Sequence, residues 1–274
     1  MFNPSGESAD RLRIRRLEVM GCRIRTATLP GDRARPPLLM LNGMGAPLEI
    51  LIPLAESLDG IEVVLFDIPG IGESSMPQIP YTLPQLASAT GRILTQLDYR
   101  SADVFGLSWG GMLAQQFAFQ NPRRCHRLIL AATMPGTPMI PGPLSVLGKV
   151  ASPRRFNDPE YAKRIAPKVY GGAARTAPLP PFEMQARGTS RRGYLFQQLA
   201  VIGWGSHLML PLLRQRTLIL AGDDDPIAPL ANARWMAQLI RHSRLHVLHD
   251  GHHFFRSSLD ETSATIRDFL QKSE

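Results

Sequence analysis

Residues 102–112 read Ala-Asp-Val-Phe-Gly-Leu-Ser-Trp-Gly-Gly-Met, and the reading of this stretch decides the fold. An apolar run, 102–107, leads into it and an amphipathic run, 112–119, leads out. Between them Gly106, Ser108 and Gly110 are spaced Gly-x-Ser-x-Gly. A serine placed between a buried strand and a helix needs a sharp turn, too crowded for side chains two positions to either side, and glycine meets that requirement. The hydroxyl is then held at the tip of the turn and at a helix N-terminus, where unpaired backbone N–H groups can stabilise an anion. Five-residue patterns recur by chance; the strand–motif–helix context is what gives this one weight.

The flanking sequence repeats the alternation. A fully apolar run at 38–41 and the runs 61–66 and 127–132 predict buried strands, with helical spacing at 48–58 and 83–97 and a helix after Ser108 to about Gln120. Runs of this kind, separated by amphipathic helices, build a parallel, doubly wound sheet of the α/β class. Before them, 12–19 and 23–29 alternate as half-buried strands about a turn at Gly21-Cys22, predicting an antiparallel hairpin with a basic outer face. After Ala132 the pattern breaks: Pro135, Pro138, Pro141 and Pro143 rule out regular structure. Short helices are expected near 144–150, 159–165, 181–187 and 195–203, forming a helical cap inserted above the sheet. The sheet resumes at 217–221, a helix follows over 229–240, the last strand is 245–248 and a helix at 259–271 closes the chain. The expected organisation is core over 1–133, cap over 134–213 and core over 214–274.

Bulk properties narrow the function. The 274 residues are 44% hydrophobic and 20% charged, as in ordinary globular proteins, and the polar first ten residues are expected to form a frayed tail rather than a secretory signal. No run approaches the ~20 apolar residues of a transmembrane helix. Cys22 and Cys125 form neither a disulfide framework nor a Cys-x-x-Cys pair, which predicts reduced thiols in a cytoplasmic protein. The formal charge of +8 is concentrated: eight Arg against Glu18 and Asp32 in 11–35, and ten Lys/Arg against Asp158, Glu160 and Glu183 in 149–192. Such faces suit a solubilising surface or an anionic partner surface, but no nucleic-acid motif accompanies them and aromatics are only 7%.

A serine hydroxyl becomes a nucleophile when a histidine, itself oriented by a carboxylate, takes its proton. Functional groups of a parallel sheet gather at the C-terminal ends of its strands. There the sequence offers Asp223, Asp224 and Asp225, then His249, His252 and His253. Asp225, nearest the following helix, is the favoured acid, with Asp224 second. His252, after a glycine expected to act as a hinge, is the favoured base, with His253 its rival. The His-x-x-His-His set could instead hold a metal, but no carboxylate or cysteine elsewhere has matching ligand spacing. His126, His207, His242 and His246 carry no motif. The oxyanion site needs two N–H donors: Trp109, directly after the serine, and the loop Asn42-Gly43-Met44-Gly45, where Met44 is favoured. Gly70-x-Gly72 lacks the full dinucleotide-binding pattern and reads as a tight turn, so no cofactor is expected.

Five motifs, Asn-Gly-Met-Gly (42–45), Asp-Ile-Pro-Gly-Ile-Gly (67–72), Gly-Leu-Ser-Trp-Gly-Gly (106–111), Gly-Asp-Asp-Asp-Pro (222–226) and Gly-His (251–252), together resemble the α/β-hydrolase superfamily over almost the whole chain. Within it the chain is similar to the intracellular medium-chain-length polyhydroxyalkanoate depolymerases. That likeness rests on Leu-Asn-Gly-Met-Gly-Ala-Pro-Leu-Glu (41–49), Ser-Trp-Gly-Gly-Met-Leu-Ala-Gln-Gln-Phe-Ala (108–118), Ala-Ser-Pro-Arg-Arg (151–155), Ile-Ala-Pro-Lys-Val-Tyr-Gly-Gly (165–172) and Ala-Gly-Asp-Asp-Asp-Pro-Ile (221–227). The resemblance implies a serine hydrolase of poly- or oligo(3-hydroxyalkanoate) esters on storage granules, with Ser108, Asp225 and His252 as its triad. Met139, Ile140, Leu144, Val146, Leu147 and Phe156 could then meet the apolar polyester or the granule coat. A general carboxylesterase or lactonase, an acyltransferase, and a non-catalytic granule-binding protein are the alternatives. Many superfamily members have His-Gly where this chain has Asn42-Gly43, though Asn suits the depolymerase resemblance. Chain-length preference and oligomeric state are not encoded in any motif.

Overall fold

The computed structural model describes residues 12–152, 154–177 and 190–272, with the backbone alone at 156 and 157. The expected tail at 1–10, the helix at 181–187 and the Phe156 side chain lie outside these residues. The described strands form one eight-stranded sheet in the order β1-β2-β4-β3-β5-β6-β7-β8. They are β1 (Arg13–Val19), β2 (Cys22–Leu29), β3 (Leu38–Leu41), β4 (Val63–Phe66), β5 (Ala102–Leu107), β6 (Cys125–Ala131), β7 (Arg216–Gly222) and β8 (Ser243–Leu248). From β4 to β8 every pairing is parallel; β1–β2 and β2–β4 are antiparallel.

The central strands β3, β4 and β5 are buried at every position, because helices cover both faces. Their side chains alternate between two cores. Leu39, Leu41, Val64 and Phe66 pack with α2 (Leu83–Gln96) and α3 (Trp109–Gln120). Leu38, Met40, Val63 and Leu65 pack with α1 (Ile52–Glu56). Thr82 starts α2 with a capping box, its side chain and that of Gln85 each bonded to the other's backbone.

Several expectations shift. The hairpin turn is Met20-Gly21, with φ of 58° and 67°, and Cys22 already belongs to β2; two left-handed residues match the strand twist. The expected 48–58 helix divides into a 3-10 turn, Leu48–Leu51, and α1. The basic face of the hairpin is only partly free. Arg25 is drawn between Glu49 (2.5 Å) and the buried Asp67 (3.4 Å), and Arg16 pairs with Glu73. Burial pushes the Asp67 carboxyl up to about 6 although Leu48 and Glu73 N–H groups donate to it. A Cβ at Gly72 would strike that carboxylate, which accounts for the glycine. The 67–72 motif is therefore a structural turn.

Between β6 and β7 lie α4 (Leu144–Ala151), α5 (Arg154–Asn157), α6 (Pro159–Tyr170) and α7 (Arg191–Val201). Residues 134–143 have no helix, and α6 continues through Pro167 to Tyr170, beyond the expected end. Val146, Ile165, Val169, Tyr170, Ala174 and Ile227 form a small separate core. By contrast α7 reaches into the main cores, Phe196 and Ala200 on one side of the sheet and Tyr194 on the other. After β7 come α8 (Leu230–Leu239), then β8, α9 (Phe254–Ser257) and α10 (Leu259–Gln271).

Candidate active site

Ser108 sits at the sharp turn between β5 and α3 with φ 53° and ψ −117°, a strained conformation for a residue with a Cβ. A Cβ at Gly106 would collide with the Gly110 carbonyl and one at Gly110 with the Leu41 and Asn42 carbonyls. The turn is held on both sides: Ser108 N–H donates to Ala131 O (2.8 Å) and the Thr133 hydroxyl donates to Ser108 O (2.6 Å).

The three aspartates after β7 go to three destinations. Asp223 reaches the exposed His249 at 2.5 Å. Asp224 takes the Arg175 guanidinium and the Gly172 N–H, and the Arg175 bond holds its carboxyl below the usual carboxylate range. Asp225 is 5% exposed; one oxygen accepts the N–H groups of Ile227 and Ala228, and the other lies 2.7 Å from His252 Nδ1. His252 Nε2 is 3.1 Å from Ser108 Oγ. The rival His253 stacks on Tyr170, ring centroids 3.8 Å apart. Burial, aided by the neighbouring His252, drives its pKa well below the ordinary histidine value, so it is neutral.

Gly251 is not the expected hinge. A Cβ there would collide with the Tyr170 carbonyl, so the glycine allows a close approach between the His252 loop and the end of α6. The loop is fastened: His252 N–H donates to Tyr170 O (2.7 Å), and Asp250 gathers Ser257, Ser258, Ala173 N–H and Gly251 N–H. Burial alone would raise the Asp250 pKa; these donors lower it.

The loop after β3 passes over the serine, since a Cβ at Gly43 would lie 3.7 Å from Ser108 Cβ. Asn42 braces it, donating to Pro47 O (2.6 Å) and accepting Gly43 N–H (2.9 Å). Among the described residues no acceptor meets the N–H of Met44 or Trp109. Met44, Ser108, Trp109 and His252 open on a cavity of about 190 Å³ walled mainly by apolar side chains. Met139, Leu147 and Val150 close it from the cap side, with Val201 of α7. Of the residues expected to meet an apolar substrate, Met139 and Leu147 line this cavity. Ile140 and Leu144 are exposed outside it; Val146 is 2% exposed in the small core with Ile165 and Val169, which corrects the expectation for that residue.

Three contributors were not singled out as site residues. Thr133 holds the serine turn. Arg155 is buried at the cavity wall, donating to Met44 O (3.1 Å) and the Tyr194 hydroxyl (3.2 Å). Gln197, fully buried in α7, accepts Gly45 N–H at 2.7 Å. Only Arg155 left a trace in sequence, as the last residue of the Ala-Ser-Pro-Arg-Arg stretch. Chemically, the arrangement lets a proton pass from Ser108 Oγ to His252 Nε2 while Asp225 holds Nδ1–H.

The family model for the alpha/beta hydrolase fold matches residues 36–192. The poly(3-hydroxyalkanoate) depolymerase of Ectopseudomonas oleovorans is 45% identical over 261 residues, 94% of this chain and 92% of that protein. 3-Oxoadipate enol-lactonase 2 of Acinetobacter baylyi is 25% identical over 240 residues, 81% of this chain and 84% of its own. Among solved structures, a hydrolase from Pseudomonas aeruginosa PA01 superposes with a TM-score of 0.77 at 25% identity, covering 95% of this chain and 99% of that one. The enol-lactonase from Burkholderia xenovorans LB400 superposes at 0.80 with 22% identity, over 94% of this chain and 100% of that one, a likeness of fold.

Proposed function

The chain belongs to the α/β hydrolase family, and we propose that it cleaves the ester bonds of poly- and oligo(3-hydroxyalkanoate) through an acyl-enzyme on Ser108. In this reading His252 Nε2 takes the Ser108 proton as Oγ adds to the ester carbonyl. The carbonyl oxygen, now an anion, receives the N–H groups of Met44 and Trp109. Each donor is worth about 3 kcal/mol of barrier where such sites have been dissected. Collapse expels the alcohol, which takes its proton from His252. Water then repeats the sequence on the acyl-enzyme, releasing the hydroxy acid and restoring Ser108. Asp225 keeps His252 in the tautomer with Nδ1–H and stabilises the imidazolium.

The observation that carries the chemistry is the continuous line Asp225–His252–Ser108, at 2.7 Å and 3.1 Å. The substrate class is supported by the 45% identity to the depolymerase, which runs through the cap that walls the cavity. An apolar cavity with one polar end suits a 3-hydroxyacyl unit, its alkyl side chain against Met139 and Leu147. The place of action in this reading is the surface of storage granules in the cytoplasm. Leu144, Ile202 and Leu208 are exposed apolar side chains available to it, and among the described residues no helix is long and apolar enough to cross a membrane.

Two measurements test the proposal. Ser108→Ala is expected to lose p-nitrophenyl octanoate hydrolysis and fluorophosphonate labelling; retention of the parent rate would overturn the mechanism. Purified protein incubated with medium-chain polyester granules is expected to release hydroxy acid. If small esters turn over and granules do not, the substrate is a small ester or lactone, the reading the enol-lactonase relative favours.

A further inference from the structure

Residues 43–46 form a β-turn, closed by Ala46 N–H on Gly43 O at 3.1 Å, with Gly45 at φ 75°. A left-handed third residue marks the type II turn, which differs from type I by a flip of its central peptide. Here that central peptide, Met44–Gly45, is gripped at both ends by the cap. Arg155 of α5 donates to its carbonyl (3.1 Å) and Gln197 of α7 accepts its N–H (2.7 Å). Gln197 makes a second contact: its main-chain carbonyl accepts the indole Nε1–H of Trp109 at 2.9 Å. One cap residue therefore touches both residues whose N–H groups face the developing anion in the reading above.

We propose that Gln197, assisted by Arg155, is a positioning residue that sets the oxyanion site, so that the site is complete only with the cap seated. This rests on the Ser108 acyl-enzyme reading and goes beyond it. The burial pattern supports the assignment. Gln197 is 0% exposed, and its Nε2 meets no acceptor among the described residues. A buried amide donor without an acceptor works against folding, so the amide is kept for what its oxygen does. What the amide supplies is the carbonyl oxygen that fixes Gly45. Losing it takes an acceptor from the buried Gly45 N–H and leaves the turn free to flip or to move away from Ser108. Sub-ångström placement matters there, because donors must meet the oxyanion and not the ground-state carbonyl.

The test is Gln197→Met, which keeps length and apolar volume and removes the acceptor. On p-nitrophenyl octanoate kcat is expected to fall about 10- to 100-fold with KM within about threefold, a partial loss compared with deleting a donor outright. Affinity for octylboronic acid, whose tetrahedral Ser108 adduct places an oxygen between the donors, is expected to fall in parallel. Octanoate affinity is expected to hold, and thermal stability to fall only by the loss of one buried hydrogen bond. Gln197→Glu, neutral when buried, keeps an acceptor and should recover much of kcat. If Gln197→Met does not fold, Arg155→Lys, which keeps the charge and gives up the guanidinium bond to the Met44 carbonyl at the other end of the same peptide, is read the same way. A folded variant with parental kcat and parental boronate affinity overturns the proposal. Should that occur while Ser108→Ala is inactive, only the positioning role fails; an active Ser108→Ala removes the acyl-enzyme reading itself.

Discussion

The ends of β7 and β8 carry two aspartate–histidine pairs. Asp223 and His249 meet at 2.5 Å with the imidazole 98% exposed; Asp225 and His252 meet at 2.7 Å with side chains 1% and 7% exposed. By distance alone the outer pair is the shorter. The inner pair differs in what surrounds it. The second oxygen of Asp225 is occupied by two backbone N–H groups, and the second nitrogen of His252 faces Ser108. Water screens the outer pair and leaves its partners free to rotate, so it contributes little. Exclusion of water from the inner pair strengthens every charge-assisted bond and fixes one geometry. A short contact between an acid and a base therefore says less than the environment that enforces it.

The largest test of this contrast is Asp225→Asn. The amide keeps Ile227 and Ala228 satisfied through its oxygen and presents NH2 to His252 Nδ1, forcing the proton onto Nε2 and disabling the base. A fall in kcat of about 10⁴ is expected, with the fold retained; a loss under tenfold would remove Asp225 from the mechanism.

His253, next to His252, sharpens the comparison through pH. Its pKa is depressed in the folded protein, so below the unfolded value of about 6.5 the unfolded chain binds the extra proton and stability falls as pH falls. The parent should lose stability from this group as the pH falls from about 7.5 to about 5. His253→Phe, which retains the stack on Tyr170, should lose correspondingly less in chemical denaturation at the two pH values. Asp67 titrates in the opposite sense over an overlapping range but is common to both proteins. Equal pH slopes would show that His253 is not held neutral.

The smallest effect is expected from the outer pair. Asp223→Asn and His249→Ala should each leave kcat/KM within about twofold and stability within about 0.5 kcal/mol. A large fall in activity from either would mean that exposure is a poor guide to which pair works.

Much of the sheet was legible because its signals are local. Runs such as 38–41 and 63–66 are apolar throughout, as strands covered on both faces are. The glycines flanking Ser108 were legible for the same reason, since the turn's sterics act within five residues. Boundaries such as the continuation of α6 through Pro167 were not, because packing of Ile165, Val169 and Tyr170 into the cap core outweighs the proline. Gly251 was misread as a hinge because flexibility and close approach demand the same residue; only the Tyr170 carbonyl beside it distinguishes them.

By itself the sequence determined the strand–turn–helix at Ser108 and the order serine, aspartate, histidine on successive strand ends. It narrowed the candidate acid to three adjacent aspartates and the candidate base to three histidines within five positions. Tertiary structure decided among them. Consecutive residues at a strand end point in different directions, and what covers each direction comes from the distant cap. The Tyr170 carbonyl fixes the His252 backbone, Gly172 and Arg175 take Asp224 away, and Tyr170 stacks against His253. Gln197 and Arg155 reach the oxyanion turn from helices more than a hundred positions further along the chain. Contacts at that separation leave no local periodicity or spacing to read, because they exist only when the chain is folded.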